Sequence, residues 1–162
     1  MVKIIVVALL FVNLIACGPV EQASSREAAQ PTAIFSCLSS QNQCQVATKA
    51  GDFSVQFSGQ RVDGKIKTEL PFQVQLSFLS HSDNKQLKTV DSYLEGKEMF
   101  MGKIPVFFQL SNNNTNIRVA ESLLANCAEE VMTWRLWFKV ELLVAGETQQ
   151  QHFFIDFDSQ RL

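Results

Sequence analysis

The sequence predicts an all-β domain, a two-layer immunoglobulin-like β-sandwich of about seven to nine strands, preceded by a signal peptide and a flexible tether. Three observations carry this. From residue 34 onward the dominant period of the apolar residues is two, the period of a strand with one packed face and one wet face. Turn-forming clusters separate the apolar runs at sandwich-like spacing. The aromatic content is 13 Phe against 2 Trp and 1 Tyr, a core-building choice rather than the Tyr-rich or Trp-rich surface of many carbohydrate binders. A small β-barrel is the alternative architecture. With 162 residues, one folded domain is expected.

The N-terminus reads as an address. Lys3 precedes an apolar run from Ile4 to Val12, too short to span a bilayer, which takes about 20 residues, but right for a secretory leader. Leu14-Ile15-Ala16-Cys17 follows and resembles the bacterial lipobox. The resemblance implies lipidation at Cys17, with residues 1–16 as the lipoprotein signal peptide. Two or three acyl chains anchor stably, since each buried methylene contributes about 0.8 kcal/mol. Gly18 rather than Asp follows the cysteine. By resemblance to enteric lipoproteins this favours the outer membrane, facing the periplasm. Residues 17–33 are rich in Ala, Ser, Gln, Pro and Gly and read as a flexible tether. The expected sandwich spans 34–162.

Along that domain, Phe53, Val55 and Phe57 alternate with polar neighbours, as do Leu70, Phe72, Val74, Leu76 and Phe78. Ile117, Val119 and Leu123 continue less cleanly, and Val119–Cys127 also admits a short helix because Glu121 interrupts the pattern. Met132, Trp134, Leu136, Phe138, Val140, Leu142 and Val144 form the longest run, and Phe153, Ile155 and Phe157 the last. Turns are expected over Gly59–Gly64, in the Asn-rich Ser111–Asn116 stretch and at Ala145-Gly146-Glu147.

The chemistry is sparser. A formal net charge of −2 and no basic stripe exclude a typical nucleic-acid binder. The four cysteines and two histidines lack the closely paired spacing of common zinc ribbons and fingers within this chain alone. With Cys17 lipidated, Cys37, Cys44 and Cys127 remain. Cys37 and Cys44 flank a polar turn, so a hairpin would join them in a disulfide, which an exported domain retains. A loop this short is stabilised by ~2–3 kcal/mol in the chain-entropy model. A redox-active pair is the sharper alternative, but the spacing is not Cys-x-x-Cys. Cys127 is then the odd thiol, either a small packed residue or a metal ligand.

The remaining methionines cluster. Met99 and Met101 lie two apart, and Met132 shares a strand face with Trp134. If the two segments are neighbours, thioethers and a thiol converge into a soft ligand set that selects Cu(I), with the Trp134 ring near the cation. Core packing is the plainer reading of the same residues.

The pattern Cys37-x6-Cys44, Gly96-x2-Met99-x-Met101-Gly102 and Cys127-x4-Met132-x-Trp134 resembles a family of small uncharacterised proteobacterial exported proteins and lipoproteins. It is more distantly similar to the immunoglobulin-like domains of the FixH/YtkA group. The resemblance implies a copper-related setting, near Sco-type chaperones and cytochrome oxidase assembly, with Met99, Met101, Cys127 and Met132 as candidates and Trp134 beside them. It implies no reaction.

His81 reads as a solvated loop residue. His152 and Asp156 share a strand face, and a thiol triad with Cys127 is imaginable, but no nucleophile-elbow, zincin or phosphate-loop pattern is present. The expected function is therefore non-enzymatic: a membrane-anchored envelope lipoprotein handling Cu(I). The alternative is a structural or interaction lipoprotein that docks an envelope protein. A small-ligand binder using the end loops is a weaker third reading.

Overall fold

Alternation of apolar and polar residues builds two sheets whose apolar faces meet. The computed structural model describes residues 35–80, 84–111 and 114–162; the leader, Cys17, the tether and His81 lie outside the described residues. Among these, the strands are β1 (Phe35–Cys37), β2 (Gln43–Ala47), β3 (Asp52–Gly59), β4 (Arg61–Val62), β5 (Lys65–Lys67) and β6 (Phe72–Leu79). The second half of the chain adds β7 (Lys85–Gly96), β8 (Ile104–Pro105), β9 (Gln109–Ser111), β10 (Asn114–Ser122), β11 (Val131–Val144) and β12 (Glu147–Gln160). No helix occurs among the described residues, so none is long and apolar enough to cross a membrane. This says nothing about strands.

Sheet A has the order β1-β2-β3-β6-β10-β9, and sheet B the order β4-β5-β12-β11-β7-β8. Twelve described strands exceed the seven to nine expected. The surplus comes from β1, β4, β5, β8 and β9, each two or three residues long. Strands that short carry no alternation to read.

The core lies between the sheets. Phe53, Val55 and Phe57 of β3 and Phe72, Val74, Leu76 and Phe78 of β6 face Trp134, Leu136 and Phe138 of β11 and Phe153, Ile155 and Phe157 of β12, all buried. Rings bridge the layers: Phe53 to Phe153 and Phe57 to Phe157 each have centroids 4.7 Å apart, close enough for favourable aromatic pairing. The Trp134 indole N–H donates to the buried Ser159 hydroxyl at 3.0 Å, so the one polar atom of that ring is satisfied.

Turn chemistry agrees with the backbone. Asp63 and Gly64 have φ of 50° and 79°, and Ala145 and Gly146 have 50° and 88°. Two consecutive left-handed residues make the hairpin turn whose twist matches the flanking strands. Of the turn expected over Ser111–Asn116, Ser111 instead ends β9 and Asn114–Asn116 open β10, with Asn114 opposite Ser111.

Two expectations are corrected around β10. The alternative of a helix over Val119–Cys127 gives way to β10, which runs to Ser122, followed by an irregular segment in which Leu123 is exposed. The phase of the strand is also reversed: Arg118 and Ala120 are buried, while Ile117 and Val119 are only partly so. Arg118 enters the interior because backbone carbonyls receive it. Its guanidinium donates to the Thr115 and Ile117 carbonyls on its own strand and to those of Leu87 and Lys88 on β7. Lys88 is skipped in the β7–β11 register, where Glu141 pairs with Thr89 and Leu142 with Leu87. This β-bulge directs carbonyls toward the other sheet. Burial lowers the Arg118 pKa from its usual value, but a guanidinium keeps its charge.

Candidate functional site

The methionine segments meet at one end of sheet B. Gly96 closes β7 opposite Trp134, and the chain turns back so that Lys97 N–H bonds the Thr133 carbonyl at 3.0 Å. A side chain at position 96 would collide with the Met99 carbonyl and the Met132 methyl. The glycine of the Gly96-x2-Met99 motif is therefore required by close approach, and it lets Met132 slide under the turn carrying Met99. Met99 and Met132 together line a cleft of about 380 Å³ with Glu98, Glu129, Val131 and Thr133. Met132 is buried at its floor and Met99 is 41% exposed at its rim.

The other two candidates stand apart from that lining. Met101 and Cys127 are partly buried and pack against the edge of the core. The Cys127 thiol is free and lies 3.6 Å from the Glu129 carbonyl. Trp134 is fully buried, with its N–H already bonded to Ser159. Of the sequence candidates, the fold thus brings Met99 and Met132 to one cleft. Among the described residues no three His, Cys, Asp or Glu side chains gather as a metal-holding group. What the cleft presents is two thioethers beside two carboxylates, which is a soft donor pair in a negative setting.

Cys37 and Cys44 form a disulfide between directly opposed residues of β1 and β2, as the hairpin reading expects. It staples the edge strand where the described chain begins. His152 lies opposite Lys139 on β12 and is exposed. Cys127 adjoins the Ala128–Glu130 segment, which bonds Arg161 at the far end of β12. At a rise of about 3.3 Å per residue, His152 is too far along the strand to reach it.

Asp156 is committed elsewhere. Arg135 grips it with two hydrogen bonds of 2.7 and 3.0 Å, and Lys97 adds an ion pair at 3.2 Å. Burial pushes the Asp156 carboxyl up, but the bonds from Arg135 and Lys97, with their charges, outweigh this and hold it below its usual value. Its bond to Asp156 raises the Arg135 pKa. The Arg135 guanidinium also lies over Phe154, 3.9 Å from the ring centre, a cation–π contact.

This cluster belongs to a strip that sequence reading missed. On the outer face of sheet B, Tyr93, Trp137 and Phe154 are cross-strand neighbours, with ring centres 6.1 and 4.9 Å apart. Phe35 of β1 reaches Phe154 at 5.7 Å. Lys103 sits 4.3 Å over Tyr93, and the Trp137 N–H donates to Glu95. The Phe-rich composition suggested that aromatics serve the core, yet the one tyrosine and one of the two tryptophans are outside it. The available signal was Trp137 itself, which sits at a polar-phase position of β11.

Comparison with known proteins gives fold likeness without identity. No family model matches the sequence, and no curated protein matches it. Among solved structures, the chain is similar to a DUF4785 family protein from Legionella pneumophila, with 13% identity and a TM-score of 0.54. The match covers 70% of this chain and 29% of that one, so this chain spans under a third of its length. At that identity the likeness shows the fold alone.

Proposed function

We propose that this chain is a lipid-anchored protein of the bacterial envelope, non-enzymatic, whose sandwich holds Cu(I) at the Met99–Met132 cleft in copper handling. The membrane half rests on the resemblance of Leu14-Ile15-Ala16-Cys17 to a lipobox. The metal half rests on one observation: the two methionine segments, about thirty residues apart in sequence, line the same cleft. A thioether needs no deprotonation, so such a site works across the pH range of an exterior compartment. Glu98 and Glu129 add negative potential that draws a cation toward the sulfurs. Met101 and Cys127, at the margin, are reserve ligands that would have to move to join.

The test is anaerobic Cu(I) titration of the full chain against a chromophoric chelator. Met99→Leu/Met132→Leu conserves volume, so each change should cost under about 1.5 kcal/mol of stability. The expected result is a loss of about a hundredfold or more in Cu(I) affinity, equivalent to about 2.7 kcal/mol. Unchanged affinity in a folded double variant would sink the site.

A second reading has its own observation. Phe100, in the β7–β8 connection of sheet B, is 84% exposed, and Phe107, where the chain crosses from β8 to β9 of sheet A, is 78% exposed. Exposed rings of this size suit a protein-docking surface, and an interaction lipoprotein without metal would use them.

A further inference from the structure

The outer face of sheet A carries a feature that neither reading uses. Strand register sets Gln43 opposite Gln56, and Gln56 opposite Gln75, so three side-chain amides cross β2, β3 and β6 in one row. A second row sets Ser58 opposite Gln73 and Gln73 opposite Glu121. With Asn42, the first row and Ser58 and Gln73 line a cleft of about 380 Å³ that contains no charged side chain. Ser58 and Gln73 also line an adjoining cleft of about 320 Å³, which ends at Pro71, Phe72 and Glu121. Both clefts are open to solvent, and the shared residues make them one shallow groove.

We propose that this groove binds a neutral oligosaccharide laid across β2, β3 and β6. Gln43, Gln56, Gln73 and Gln75 are its hydrogen-bonding residues, and Pro71 packs an apolar sugar face. Each glutamine amide presents donors and an acceptor, as a sugar's hydroxyls do. The amides are held loosely by the protein: Gln75 reaches Gln56 at 3.5 Å and Ser77 at 3.3 Å, and Gln43 reaches Ser54 at 3.3 Å. All are at or beyond the long end of the ordinary range, so exchanging them for ligand hydroxyls costs little. Strands in a sheet are about 4.8 Å apart, close to the length of one pyranose unit, so a chain crossing the strands meets about one amide per sugar.

An extended peptide fits less well. Peptides that join sheets use free main-chain groups at an edge, whereas β3 and β6 are interior strands whose backbones are paired on both sides. Only side chains are on offer here. The single carboxylate at the groove's end, Glu121, accepts hydroxyl hydrogens and repels anionic sugars.

The experiment is titration of the full chain with chitohexaose and cellohexaose, with hexagalacturonate as the charged comparator. Affinity is read by calorimetry and location by NMR of the glutamine side-chain amides. At least one neutral hexaose should shift the Gln43, Gln56, Gln73 and Gln75 amides, with the uronate weaker. Gln56→Ala/Gln73→Ala should lose about tenfold or more in affinity, and Gln56→Thr/Gln73→Thr, which keeps strand propensity, should lose as much. Lys139→Ala on the opposite sheet should bind like the parent. The proposal is overturned if neither neutral sugar shifts these amides, if the uronate binds as well, or if the glutamine variants bind normally. It is equally overturned if an uncharged extended peptide shifts the amides where the sugars do not.

Discussion

The two outer faces of the sandwich are built on the same alternation yet finished in opposite ways. On sheet B, long side chains lock to one another: Arg135 is bonded twice to Asp156 and stacked on Phe154, Lys97 adds a second cation, and Lys103 covers Tyr93. On sheet A the outer face carries Gln43, Gln56, Gln73, Gln75 and Ser77; the bonds Gln75 makes to Gln56 and Ser77, and Gln43 to Ser54, are long. The first face spends its polar groups on itself. The second leaves them exchangeable. Both are wet faces of a sheet; what differs is whether donors and acceptors are already matched at short range.

Arg135→Ala tests this contrast most strongly. It removes a bidentate pair that is partly shielded from solvent, with side-chain exposures of 20% and 14%, and it uncovers Phe154. After discount for solvent screening, the expected loss is about 1–3 kcal/mol, read as a lowered urea midpoint. A change under a few tenths would mean the strip is decorative.

The next effect is in pH. The Asp156 pKa is lowered on folding, so the unfolded chain binds its proton more tightly. The stability Asp156 contributes is therefore full above the ordinary carboxylate range and is lost as pH falls through its lowered folded value. Urea midpoints should fall on acidification below about pH 4, less steeply in Asp156→Asn. Parallel slopes for the two proteins would show that the pairing carries no linkage.

The smallest effect belongs to sheet A. Gln75→Thr should change stability by less than about 0.5 kcal/mol, since it breaks only long bonds and keeps a strand-forming residue. A loss comparable to that of Arg135→Ala would erase the distinction between the faces.

How much was legible in the sequence follows the same division between local and distant. The inward residues of β3, β6, β11 and β12 were readable because burial on one face writes a period of two into the chain. The Cys37–Cys44 bridge was readable because a tight turn brings its own flanks together. β10 was misread in phase: Arg118 faces in, and nothing nearby in sequence announces that Leu87 and Lys88 carbonyls wait on another strand. The methionine candidates divided for a like reason. Met99 and Met132 share a cleft because Gly96 ends opposite Trp134, whereas Met101 falls two residues beyond, against the core edge.

By itself, then, the sequence determined that this is a strand-built domain with a packed face, a stapled hairpin and sulfur-rich segments on either side of β10. Those are consequences of residue period, turn chemistry and short-range chain closure. Tertiary structure alone decided which strands are neighbours, and so which side chains meet: two thioethers over a glycine, an aromatic strip closed by arginine, and a row of amides across three strands. Strand order and register depend on contacts between residues far apart in the chain, and no local pattern encodes them.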